Sequence, residues 1–167
     1  MKRIHIHIAV TDLSENISFY STLFNTLPTV QHQDYAKWQL DDPAVNFAIS
    51  TQGHSSGINH LGIQVDSTEE LQELSQRFES AEIDHLSQEN VTCCYANSNK
   101  HWTRDPQGNA WESFHTLGDA PIFGEDSKLR DTDTSSSCCI PLYSSPEESH
   151  EAACCIPTEQ NTSGCCN

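Results

Sequence analysis

All eight cysteines of this 167-residue chain stand in adjacent pairs: Cys93-Cys94, Cys138-Cys139, Cys154-Cys155 and Cys165-Cys166. Neighbouring Cα atoms across a trans peptide lie only ~3.8 Å apart, short of the roughly 4.4 to 6.8 Å that an unstrained disulfide spans. A pair therefore resists closing on itself. Two thiolates side by side make a bidentate soft clamp instead, suited to As(III), Cd(II), Zn(II) or Cu(I). An even count also allows disulfides between pairs, but no secretory leader is recognisable, which points to a reducing compartment and thiols.

A second set of residues suits a harder metal. Two neutral imidazoles and one carboxylate form a common non-haem metal face that leaves positions for water, oxygen or substrate. His5 and His60 fall at equivalent places in two similar stretches, and Glu112 follows the turn Asp105-Pro106-Gln107-Gly108. A solitary strand histidine is ordinarily solvated or hydrogen-bonded, and a lone Glu is ordinarily a surface charge; the equivalence of the two histidines is what gives the set weight. His7 shares the face of His5 and rivals it.

These side chains need elements to hold them. From Arg3 to Val10 the chain alternates, Ile4, Ile6 and Ile8 against His5, His7 and Ala9, which predicts a half-buried strand. Asp12 with Glu15 three residues on predicts a helix start, and Leu13, Ile17, Tyr20 and Phe24 recur at helical spacing to about Leu23. Strands are expected around 36–40 and 45–50, split by the turn-prone Asp41-Asp42-Pro43. The order begins again at His60 to Val65, followed by a Ser67/Glu70 capping box and the apolar stripe Leu71, Leu74, Phe78, Ala81. Strands are then expected at 91–95 and 109–116, with Lys100-His101-Trp102 in a loop between the cysteine pair and the turn, placed to gate a site or touch substrate.

After Leu117 the periodicity stops. Residues 118–167 are acidic and Ser/Thr-rich with few large apolar groups, and are expected to be a disordered tail. Within it Cys138-Cys139-Ile140-Pro141 recurs as Cys154-Cys155-Ile156-Pro157 before Cys165-Cys166. These six cysteines form a candidate arsenic-capture element, or mere low-complexity drift. The formal charge of -16 repels phosphate backbones and anionic membranes, so neither nucleic acid nor membrane is an expected partner. No apolar run is long enough to cross a bilayer. A cytoplasmic location is expected.

The runs His5-Ile6-His7-Ile8-Ala9-Val10-Thr11-Asp12-Leu13, Asn59-His60-Leu61-Gly62-Ile63 and Asp105-Pro106-Gln107-Gly108-Asn109-Ala110-Trp111-Glu112 resemble vicinal oxygen chelate modules. The resemblance covers residues 1–117 and implies an α+β domain of two βαβββ modules, about 1–52 and about 57–117, curved around a metal. It assigns His5, His60 and Glu112 as ligands, with His5 preferred to His7. Glyoxalase I relatives add a second carboxylate from the first module's edge, and 44–51 has none.

Thr92-Cys93-Cys94-Tyr95, supported by Asp34-Tyr35-Ala36-Lys37-Trp38 and by 111–119, is similar to the carbon-arsenic lyases of arsenic resistance and their cadmium-induced relatives. That likeness implies Fe(II) as cofactor, O2 as co-substrate, and a trivalent organoarsenical held by Cys93 and Cys94 while its carbon-arsenic bond is cleaved. Tyr35, Trp38, Lys100 and His101 are further substrate-binding candidates, and Tyr95, Trp102 and Phe114 candidate lining. Trp111, beside Glu112, is assigned to packing. A monomer or homodimer is expected. The alternative is a non-enzymatic arsenic- or cadmium-sequestering protein. Successive strand residues point to opposite faces, so two neighbouring sulfurs can meet one arsenic only where the backbone turns or bulges.

Overall fold

The structure is a computed structural model that describes residues 1–52 and 55–124; the tail cysteines 138, 139, 154, 155, 165 and 166 lie outside the described residues. In chain order the elements are β1 (Arg3–Ala9), α1 (Leu13–Phe24), β2 (Val30–Gln31), β3 (Tyr35–Asp41), β4 (Ala44–Ser50), β5 (Gly57–Val65), α2 (Thr68–Ser80), β6 (Leu86–Cys93), β7 (Ala96–Arg104) and β8 (Ala110–Asp119).

Both helices start where the caps predict. Asp12 accepts from the Glu15 amide at 2.9 Å, and Ser67 accepts from the Glu70 amide at 3.2 Å, each satisfying an amide that has no partner inside the helix. Glu70 reaches the amide of Asp66 at 3.0 Å, one residue short of a reciprocal box. α1 ends at Asn25 with φ 51, a left-handed stop that Asn tolerates.

The eight strands form one mixed, curled sheet of order β2-β3-β4-β1-β5-β8-β7-β6. Its two sides match: outward from the central β1–β5 pair come β4-β3-β2 on one flank and β8-β7-β6 on the other. Ile6 lies opposite Leu61 at the centre, flanked by His5↔Gly62 and His7↔His60. The parallel pairs β1–β4 and β5–β8 share a register, Ile6↔Phe47 on one side and Leu61↔Trp111 on the other. Ala48 therefore occupies the place that Glu112 has across the seam.

Lys100-His101-Trp102, expected in a loop, lie in strand β7, laddered to β8 from Ala96↔Asp119 to Arg104↔Ala110. Its inward side chains Ser98 and Lys100 are buried polar groups, so the stretch lacks the apolar alternation by which strands are read. The strand expected at 91–95 is likewise the end of β6 and a turn. Ordered chain also continues past 117, through β8 to Gly124.

Apolar packing lies on the convex side. Trp38, Phe47, Ala36 and Ile49 are buried beneath Leu13, Ile17, Tyr20 and Phe24 of α1. The second half has a smaller cluster, Val65, Leu71 and Leu74 with Ile63 against it. Among the described residues no helix is long and apolar enough to cross a membrane.

Candidate metal centre and dithiol turn

The concave side of the sheet is buried and polar, an arrangement that water-driven folding does not favour unless each polar group finds a partner. Strand alternation turns His5, His7, Asn46, His60, Lys100 and Glu112 into one cavity. His5 Nε2 and His60 Nε2 are 3.1 Å apart, and Glu112 Oε2 stands 3.4 Å from His60 Nε2 and 3.8 Å from His5 Nε2. Among the described residues they are the one group of three whose ligand atoms converge within 4.8 Å.

The far side of each ring fixes what the near side presents. His5 Nδ1 lies 3.0 Å from the Asn46 carbonyl, which only accepts, so Nδ1 carries the proton and Nε2 a lone pair. His60 Nδ1 is 2.6 Å from Asn59 Oδ1, giving the same tautomer. Two lone pairs and a carboxylate oxygen aimed at one point repel unless a cation joins them. Burial, reinforced by His60 and opposed by Glu112, pushes His5 down to about 4, so at neutral pH His5 is not protonated on both nitrogens. The spacing suits adjacent corners around a metal with bonds of ~2.0–2.2 Å. The donor set therefore fits a divalent transition metal.

Glu112 is held for the task. Burial alone would raise its carboxyl, but Lys100, His60 and His5 together outweigh burial and keep it well below the usual carboxylate range. Lys100 Nζ donates to Oε1 at 2.5 Å. Gly62 lies in register between His5 and Glu112, and a Cβ there would collide with the Glu112 carbonyl oxygen. Glycine is what allows β5 and β8 to meet beside the ligands.

Cys93 and Cys94 line the same cavity. Cys93 closes β6 opposite Ala96, leaving Cys94 and Tyr95 as the two turn residues, with φ 55 and 61. That double left-handed turn is normally supplied by Asn-Gly or Gly-Gly, and in non-glycine residues it is a strained conformation of the kind concentrated at functional sites. It delivers the irregular backbone expected from the sequence. The two Sγ atoms come to 3.2 Å of each other, on one side of the chain. Cys93 is disulfide-bonded, so a two-sulfur clamp requires its reduction.

Outside contacts brace the turn. The Tyr95 hydroxyl donates to Asp34 Oδ1 at 2.6 Å, which pushes that phenol up to about 12. Its ring stacks on His32 at 3.5 Å, and Phe123 packs edge-on against both Tyr35 and Tyr95. The cavity has a volume of about 40 Å³, above the ~10–15 Å³ that one water needs.

The expected site residues divide. Tyr35 and Phe114 line the cavity, and Trp102 packs edge-on to the His60 ring at 5.2 Å. Trp111 turns away and reaches Asp105 at 3.4 Å, as assigned. Trp38 belongs instead to the α1 core, its indole donating to the Thr26 carbonyl, because it alternates with Tyr35 and Lys37 on β3. Lys100 faces the cavity, but its amino group is engaged by Glu112. His101 points to the opposite side of β7, bonded to Ser87 at 2.8 Å and near His85, and does not reach the metal face. His7 lies beside the ligands, hydrogen-bonded to Ser50 at 2.9 Å. Lys37, Asn46, Asp34 and Phe123 were not foreseen; for Lys37 the signal was present, two residues from Tyr35 on an alternating strand.

Residues 2–113 match the Glyoxalase/Bleomycin resistance protein/Dioxygenase superfamily, and the chain belongs to it. Over its whole length and that of its relative it is 36% identical to the trivalent organoarsenical cleaving enzyme of Bacillus sp. (strain MD1). It is 32% identical to the cadmium-induced protein CadI of Mycobacterium tuberculosis, over 83% of this chain and 93% of that one. Homoprotocatechuate 2,3-dioxygenase from Arthrobacter globiformis shares the fold with a TM-score of 0.53 at 16% identity, over 71% of this chain and 37% of the other.

Proposed function

We propose that the protein is an Fe(II)-dependent, O2-using carbon-arsenic lyase that converts trivalent organoarsenicals such as methylarsenite to arsenite, built on two βαβββ modules. The observation that carries the reading is one small cavity holding both a two-His-one-Glu face and a strained dithiol turn. His5, His60 and Glu112 would hold the metal, which supplies O2 activation. Reduced Cys93 and Cys94 displace the oxygen ligands of the arsenical and fix its carbon-arsenic bond toward the metal face, a proximity contribution. The stoichiometry closes: methylarsenite plus O2 equals arsenite plus formaldehyde, one oxygen atom going to each product.

The test is turnover by full-length protein supplied with Fe(II), O2 and a thiol reductant. Arsenite release from methylarsenite is expected, lost in Glu112→Ala and in Cys93→Ser/Cys94→Ser. Absence of release, or a fully active double serine variant, would falsify the proposal. Likeness to a cadmium-induced protein supports a second reading, sequestration. It requires tight Cd(II) or arsenite binding that survives loss of His5, His60 and Glu112, without oxygen uptake.

A further inference from the structure

Lys100 has an unusual position. It is 3% exposed, its amino group donates to Glu112 Oε1 at 2.5 Å, and it lies 5.7 Å from the Trp102 ring centroid. In register Lys100 pairs with Phe114, and it is Trp102 that stands opposite Glu112, so the lysine reaches its partner on the diagonal. Balancing the carboxylate's charge is an incomplete reason for it, since a divalent metal on His5, His60 and Glu112 would do that alone. A second cation so close weakens metal binding through low-dielectric repulsion.

What the lysine does beyond charge is choose between the two carboxylate oxygens. Oε1 is occupied by Nζ, while Oε2 faces His60 and His5 at 3.4 and 3.8 Å. Carboxylates bind metals through one oxygen or both. We infer that Lys100 is a positioning residue that restricts Glu112 to a single metal-facing oxygen and so keeps half of an octahedral set open for O2 and substrate. This rests on the metal reading above. It replaces the expected substrate contact of Lys100 with a role exerted through Glu112.

Full-length apoprotein titrated with Co(II) without oxygen tests it, by visible absorption and chelator competition. Wild type is expected to bind one equivalent, and Glu112→Ala to bind far more weakly. In Lys100→Met the second oxygen joins the metal: Co(II) affinity is expected to rise about tenfold while absorptivity falls to about half, as coordination number increases. Lys100→Gln, with an amide donor but no charge, should keep the wild-type spectrum. Methylarsenite kcat is expected to fall about tenfold in Lys100→Met with KM little changed. A wild-type spectrum and affinity in Lys100→Met overturn the inference, as does a Gln variant that matches Met. Should Lys100→Met not fold, the Gln spectrum decides alone. If wild type binds no Co(II), or Glu112→Ala binds equally well, the metal reading falls and takes this inference with it.

Discussion

Ala48 and Glu112 occupy matching places on the two flanks of the β1–β5 seam, and the neighbours of each differ accordingly. Around Ala48 the first half carries an aromatic-rich apolar core, with Trp38 and Phe47 buried under α1. In the second half a smaller cluster forms where Leu71 and Leu74 of α2 pack on Val65, yet this half supplies the carboxylate, the lysine and both cysteines. One flank contributes His5 and mechanical stability, the other most of the reactive groups. A sheet with two similar flanks can thus build a one-sided candidate site, with alanine on one flank where the other carries the carboxylate.

Restoring the missing group is the most severe way to break this asymmetry. Ala48→Glu places a second carboxylate on the metal face; Zn(II) affinity by calorimetry is expected to rise about tenfold and arsenite release to fall about a hundredfold. Unimpaired turnover would show that the vacancy at 48 has no catalytic value.

The cores give a smaller contrast. Trp38→Ala is expected to lose ~3–5 kcal/mol of unfolding free energy while leaving the metal affinity of folded protein intact, and Leu71→Ala to lose ~2–5 kcal/mol together with much of that affinity. Denaturant titration with calorimetry separates them. Equal effects on affinity would mean that the halves are not mechanically distinct.

Acidification is expected to act on the seam. His5 is held at about 4 in the folded chain against 6.5 unfolded, so its folded form resists the proton that the unfolded form accepts. Stability of the metal-free protein is full above about 6.5 and declines as pH falls toward 4. Glu112, held low, adds a loss of the same sign at lower pH. His5→Asn should flatten the upper part of the curve in thermal melts; an unchanged slope would remove His5 as its cause.

The mildest test concerns the link between flanks. Tyr95→Phe removes the hydrogen bond to Asp34, part-exposed and worth ~1 kcal/mol. KM for methylarsenite is expected to rise about fivefold with kcat unchanged, since the turn loses bracing but no reacting group. A fall in kcat alone would give Tyr95 another role.

The helices, the outer faces of β1 and β5, the Asp105 turn and the three metal-ligand candidates were legible because each leaves a local signature: a cap, a period or a repeated motif. β7 was not. Its buried side chains are Ser98, Lys100 and Trp102, and a strand whose hidden face is mostly polar looks like a loop until the sheet that hides it is known. The same blindness misplaced His101, whose orientation follows from strand alternation, and assigned Trp38 to the cavity when its parity with Tyr35 argued otherwise. The bracing of the dithiol turn by Asp34 depends on a contact spanning 61 residues, beyond any local pattern. The irregular backbone at Cys93-Cys94 was legible once the family resemblance implied that both sulfurs meet one arsenic, because two adjacent sulfurs cannot converge from a straight strand.

Gly62 limits how this site can change over evolutionary time. By the symmetry of the seam it is the counterpart of His7, yet any side chain there would strike the backbone of Glu112. No single substitution at 62 can therefore add a new side chain from the middle of β5 without first moving β8, and with it the candidate ligand Glu112. Selection has freer access to Lys37, Tyr35 and the turn. Descendants of this scaffold are expected to acquire new substrates by altering the rim while the centre stays fixed.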